Sequence, residues 1–136
     1  MSTLASRSEY LAISRGQWNP ARSPEEIQHG IDQFYLWLDG LVQAGKMKTG
    51  QRLGVEGKTV GRNAVTDGPF GEAKEVIGGY WFIVAGSLEE AAEIAGGNPC
   101  LECGLFYEIR PIDSEPATAF TVTNETPADR RGEATC

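Results

Sequence analysis

Apolar positions along this chain change their spacing several times, and each change marks an element. From Tyr10 to Arg15 they alternate. Leu11 and Ile13 fall on one face of an extended chain and Tyr10, Ala12 and Ser14 on the other, the two-residue period of a strand. Gly16 to Arg22 loses the pattern and carries Gly, Asn and Pro, which reads as loop. From Ile27 the period lengthens. Ile27, Ile31, Phe34, Tyr35, Leu38, Leu41 and Val42 fall within one stripe at about 100° per residue, predicting a helix with one face on a sheet. Its start is set by Ser23-Pro24-Glu25-Glu26. Ser23 caps, Pro24 suits the first helical position, and Glu26 completes a capping box. Gly45 ends it.

Residues 46–66 are rich in Gly and short β-prone stretches, and a hairpin is expected there with Val55-Glu56-Gly57-Lys58 as its turn. Thr66 to Gly71 (TDGPFG) reads as a tight irregular loop. Gly79 to Ala85 is the strongest strand, with Tyr80, Phe82 and Val84 on one face and Trp81, Ile83 and Ala85 on the other. Both faces are apolar, so both need cover. Ser87 to Ala95 predicts a second helix, capped by Ser87 with Glu90 three residues on, and Gly96-Gly97-Asn98-Pro99 ends it. Leu105 to Arg110 is the last clear strand, with Leu105, Tyr107 and Ile109 on one face and Phe106, Glu108 and Arg110 on the other. Beyond Pro111 the chain turns to Pro, Thr, Ala, Asp and Glu, with Phe120 to Thr123 as a potential short edge strand.

The expected class is therefore α+β: a ferredoxin-like βαββ(β)αβ sheet with two helices on one face. A loose terminus at residues 1–8 and a polar tail at 113–136 flank a single domain at 9–112. Two helices cover only one face of such a sheet, yet the Tyr80–Ala85 strand is apolar on both. A second copy of the sheet packed on the first repairs this, so a homodimer, a dimeric α/β barrel, is expected.

Composition narrows the partners. The formal net charge of −7 and scattered Lys and Arg argue against nucleic acid as a main partner. No apolar run approaches the roughly 20 residues that span a bilayer, so no membrane role is expected. Met1 to Glu9 lacks the apolar core of a signal peptide, and three cysteines suit a reducing compartment, so the expected location is cytoplasmic.

Several residues carry candidate chemistry, and each has a plainer role beside it. Asp67 would serve as an acid, a base or an anchor for a polar ligand, or it ties a turn through backbone N–H groups. Glu72, Lys74 and Glu75 form a polar cluster beside it, or solvated side chains. His29 is the sole histidine, so histidine catalysis rests on it, yet it lies about 180° around the helix from the apolar stripe, with Asp32 three residues on. Cys100-Leu101-Glu102-Cys103 follows a helix and leads into a strand, the wrong context for a thioredoxin-like site, and one pair supplies only two of the four ligands of a zinc site. No metal or cofactor is expected. Glu108 and Arg110 share a face with Phe106. With Tyr10 and Ser14 pointing into the same space between sheets, they would form a small-molecule pocket, or else an ion pair fixing a dimer interface.

Val65-Thr66-Asp67-Gly68-Pro69-Phe70 with Glu72, Lys74 and Glu75, then Gly78-Gly79-Tyr80, Asn98-Pro99 and Tyr107-Glu108-Ile109-Arg110-Pro111, resemble the YCII-related proteins, and specifically their DGPF-motif branch. The resemblance runs from about Tyr10 to Ile112. It implies a dimeric α+β barrel with a pocket between paired sheets. It also implies a family with few known activities, one of them a dechlorinating enzyme of aromatic breakdown thought to use a His–Asp dyad. The acid of that dyad matches Asn98 here, so the dyad looks broken. Branch members often accompany extracytoplasmic-function sigma factors. Three functions follow as expectations: a small-molecule-binding module, a cofactor-free enzyme acting on a small cyclic or aromatic substrate, or an accessory partner of a sigma factor.

Overall fold

A computed structural model describes residues 7–67 and 76–131. Its elements run β1 (Ser8–Arg15), α1 (Pro24–Gln43), β2 (Met47–Arg52), β3 (Lys58–Val60), β4 (Val65–Asp67), β5 (Ile77–Ala85), α2 (Leu88–Ala95), a 3-10 turn (Pro99–Cys103) and β6 (Phe106–Pro111). Strands β2, β5, β1 and β6 lie in that order in one antiparallel sheet. This is the ferredoxin-like arrangement of two split βαβ units, with the β3–β4 ribbon inserted between β2 and β5.

The helices form where local chemistry calls for them. Ser23 Oγ accepts from Glu26 N at 3.1 Å while Glu26 Oε1 accepts from Ser23 N at 2.8 Å, the reciprocal capping box. At the other end Gly45 adopts φ +78°. Lys46 N then reaches Leu41 O at 2.8 Å and Gly45 N reaches Val42 O at 3.0 Å, satisfying carbonyls that the helix leaves open. In α2, Glu90 N bonds Ser87 Oγ, and the Glu90 carboxylate turns back to Gly86 N at 2.7 Å.

Both helices sit on one face of the sheet. Phe34 and Leu38 from α1, Ala91 from α2, and Tyr10, Ala12, Met47, Trp81, Ile83 and Ala85 from the strands are buried together. Phe34 meets Trp81 edge-on with ring centroids 5.1 Å apart. Burying one such aromatic side chain contributes about 2–3 kcal/mol. Gly40 stands apart in α1, where an added Cβ would meet nothing within 4 Å. Gly40→Ala is expected to raise stability by about 0.5–1 kcal/mol, because alanine loses less backbone entropy in a helix. A shift of the urea midpoint to higher concentration checks this, and no shift would contradict it.

Among the described residues the opposite face carries no helix. Cross-strand register sets its side chains in rows: Lys48, Phe82, Leu11 and Arg110 in one, Gln51, Tyr80, Ile13 and Glu108 in the next. The middle of each row is apolar and half-buried, and the charges stand on the outer strands. The expectation that β5 is apolar on both faces holds.

Four expectations are corrected. The hairpin of residues 46–66 does not turn at Val55 to Lys58. β2 instead pairs with β5, and the turn lies between Gly61 and Ala64, whose backbones bond at 2.8 Å, linking β3 to β4. Arg7 and Ser8 are not a loose end: Ser8 opposes Ala85, and Arg7 Nη2 donates to Val84 O at 3.2 Å. Phe120 to Thr123 forms turn, bend and irregular chain rather than an edge strand, pairing with no strand among the described residues, and Phe120 is in solvent. Finally, Tyr10 and Ser14 do not share a face with Phe106, Glu108 and Arg110. Register pairs Leu11 with Arg110, Ile13 with Glu108 and Arg15 with Phe106, so Tyr10 and Ser14 point under the helices and are buried there.

Candidate functional site

A cluster of buried polar side chains lies on the helix side of the sheet, at the end where β1, β5 and β6 approach the 3-10 turn. Ser14 on β1 opposes Tyr107 on β6, so their side chains leave the same face of the sheet. Asn98 precedes Pro99 and caps the turn, its Oδ1 accepting from Cys100 N at 2.8 Å. The Tyr107 phenol sits against the side chains of Ser14, Asn98 and Cys100. Ser14, Asn98 and Cys100 are buried, and no buried side-chain polar atom among the described residues lacks a partner.

Above this polar floor is a cavity of about 160 Å³, walled by Trp18, Ile31, Phe34, Tyr35, Trp81 and Leu105, with Tyr107, Cys100 and Arg52 completing it. An outer groove of about 490 Å³ shares Tyr35, Arg52 and Trp81 with it and runs on past Asp39 and Thr49. Arg52 therefore stands between the two.

Its position depends on an irregularity in β2. Lys48 opposes Phe82 and Gln51 opposes Tyr80, so three residue steps on β2 match two on β5. This bulge reverses the alternation. Without it Arg52 would follow Lys48 onto the open face; with it Arg52 opposes Gly79 on the helix face. Glycines make room. A Cβ at Gly50 would lie 2.0 Å from Tyr80 O, and one at Gly78 would lie 3.0 Å from Arg52 Nη1 and 3.5 Å from Ser14 Oγ. Among the described residues Arg52 makes no ion pair.

The groups at this site are kept in their neutral, proton-bearing forms. Burial pushes the Cys100 thiol up to about 11, with Cys103 adding to the rise against the opposing pull of Arg52 and Tyr107. Burial also raises Tyr107, with Cys100 adding and Ser14, Asn98 and Arg52 opposing. A thiol held so high is a poor nucleophile near neutral pH. Cys100 and Cys103 are both free and buried against α1, where Cys103 packs so closely that a Cβ at Gly30 would lie 2.8 Å from its sulfur.

The expected site residues divide among several places. Asp67 ends β4 and pairs with Lys58 across the ribbon, and every residue from 58 to 67 is exposed. Glu72, Lys74 and Glu75 lie outside the described residues. His29 is exposed on α1 and lines a separate shallow groove of about 450 Å³ with Arg22, Glu26 and Glu102. Asp32 accepts from Gln28 Nε2 at 2.9 Å. Ser14 borders the cavity floor, whereas Tyr10 is core. Glu108, Arg110 and Phe106 are together, as expected, on the open face.

There Glu108 is held on both sides. Its Oε1 takes Arg15 at 2.9 Å and its Oε2 takes Arg110 at 3.1 Å, chiefly the Arg110 hydrogen bond holding its carboxyl below the ordinary range. A carboxylate lowered on folding adds stability above its unfolded pKa, and that contribution is lost as pH falls through the folded value. The stability gap between the wild type and Glu108→Gln is therefore expected to be full at pH 7 and to close below about pH 4.5, the ordinary value. Urea midpoints at pH 7 and pH 3.5 test this; a gap of equal size at both would contradict it.

Sequence reasoning missed Arg52 and gave Tyr107 no role beyond a place on the strand face of Leu105 and Ile109. The available signals were Gly50 and the Gly78-Gly79 pair flanking one arginine, and a tyrosine placed where a core strand would otherwise take an aliphatic residue. Among the described residues no helix is long and apolar enough to cross a membrane, and no cluster of His, Cys, Asp and Glu suits a metal ion. A comparison with curated proteins finds no match. The model of the YCII-related domain matches residues 9–114, spanning every strand of the sheet and the whole cavity except the tip of β1, and the chain accordingly belongs to the YCII-related family.

Proposed function

We propose that the chain acts as a homodimeric small-molecule-binding module. Its ligand lodges between α1 and the sheet, and two copies pair through their open sheet faces. The observation that carries the ligand reading is the Arg52 cavity, an apolar chamber with a few convergent polar groups, as small-molecule sites require. The pairing reading rests on the half-buried rows around Phe82 and Tyr80, which a second sheet would cover. The Arg15–Glu108–Arg110 chain then serves the interface rather than the ligand.

Native mass spectrometry of freshly purified protein, set against its denatured mass, tests both. A dimer is expected, with added mass wherever a ligand survives purification. A monomer at micromolar concentration would remove the pairing reading. A cofactor-free enzyme is the second reading, favoured by the Tyr107 phenol, which bears its proton at neutral pH and faces the cavity with Ser14 and Asn98 behind it. Under that reading Tyr107 donates to a developing negative charge on a small cyclic substrate.

A further inference from the structure

We propose that the cavity takes one monocyclic aromatic ring bearing a carboxylate, with the ring between Phe34, Trp81 and Leu105 and the carboxylate on the Arg52 guanidinium. This deepens, and rests on, the reading of the chamber as a ligand site. Size sets the ring. The inner volume of about 160 Å³ is close to an apolar cavity of about 150 Å³ that holds benzene. Charge sets the substituent. Among the described residues Arg52 is the one charged residue lining the inner cavity.

The other polar liners point the same way. Tyr107 carries its proton at neutral pH and so presents an O–H donor, while the Cys100 S–H donates to Gly30 O at 3.9 Å, and the described lining holds no anion of its own. The nearest acid in the outer groove, Asp39, is engaged with Gln43 Nε2 at 2.9 Å. A guanidinium fits a carboxylate with two parallel N–H···O bonds, a geometry that a lysine ammonium does not reproduce. The bulge at Gly50 turns Arg52 to this side, and the glycine at 78 leaves space beside its Nη1.

Isothermal titration of the full chain with benzoate and with benzamide, its neutral counterpart, tests the assignment. Benzoate is expected to bind saturably and benzamide more weakly. Arg52→Gln is expected to weaken benzoate roughly ten- to hundred-fold and benzamide, which offers the guanidinium one neutral carbonyl oxygen, by much less. Arg52→Lys is expected to recover only part of the loss. Ile31→Phe, which fills the chamber from α1, is expected to abolish binding of both, with circular dichroism confirming that each variant folds. Equal binding of the two probes, unchanged in Arg52→Gln, would overturn the carboxylate anchor and leave the ligand chamber standing. Benzoate affinity that survives Ile31→Phe would place the ring elsewhere and overturn the assignment. Failure of the wild type to bind either probe at millimolar concentration would overturn the aromatic assignment, leaving the ligand reading to the native mass.

Discussion

Gly50→Ala is expected to lower folding stability by about 3 kcal/mol, the upper end of ordinary overpacking. The added carbon would lie 2.0 Å from the carbonyl oxygen of Tyr80 and 2.7 Å from its carbon. Tyr80 cannot retreat, because β5 is bonded to β1 on its other side. The edge strand must give instead, and the only local slack is the bulge itself. Restoring regular pairing would send Arg52 to the open face, so the same variant is expected to lose the Arg52-dependent share of benzoate binding. Urea unfolding measures the first effect and titration the second. Gly54→Ala, where a Cβ meets nothing within 4 Å, is the control and is expected to change stability little. A Gly50→Ala midpoint equal to that of the control would mean that β2 accommodates the side chain and that the bulge does not depend on glycine.

Phe82→Lys is expected to abolish the proposed dimer while leaving the monomer folded. Phe82 lies on the open face, its ring 5.9 Å from that of Tyr80, in a row that ends in Lys48 and Arg110. In a single copy the new ammonium would reach water at small cost. Between two sheets it would be buried beside Lys48 and Arg110, whose carboxylate partners Glu9 and Glu108 are already engaged, a penalty of several kcal/mol. Lysine is the sharper choice over aspartate for that reason, since an acid would find Lys48 and Arg110 as partners. Dimerisation is expected to weaken at least about a hundred-fold, read by light scattering across a concentration series. A variant that still pairs as the wild type does would show that the copies do not meet through this face.

Much of the scaffold was legible because its signals are local. The capping box at Ser23, the stop at Gly45, the stripe from Ile27 to Val42 and the alternation from Tyr80 to Ala85 depend only on near neighbours in sequence, and each appears in the structure. The site was less legible because it depends on register. Alternation tells that Tyr10 and Ser14 lie opposite Leu11 and Ile13. It cannot tell which of the two sets shares a face with Glu108, since that rests on whether β1 and β6 pair in odd or even phase. Arg52 was hidden in the same way, because a bulge shifts the phase of everything beyond it. The hairpin was misplaced because Val55 to Lys58 carries Gly and polar residues, yet the partner that β2 chooses is β5, about thirty residues away in the chain.

The strand order has a consequence for how the molecule is made and held. Everything before the β3–β4 tip contributes β1 and β2 to the sheet, and everything after it contributes β5 and β6. In the order β2-β5-β1-β6 the two origins alternate, so each of the sheet's ladders joins a strand from one half to a strand from the other. Neither half has an internal sheet partner. As the chain leaves the ribosome, its first sixty residues carry α1 and two strands of the main sheet with nothing to pair with, and that sheet waits for its second half. By the same logic a chain severed between Gly61 and Ala64 would consist of two interleaved pieces, each the template on which the other folds.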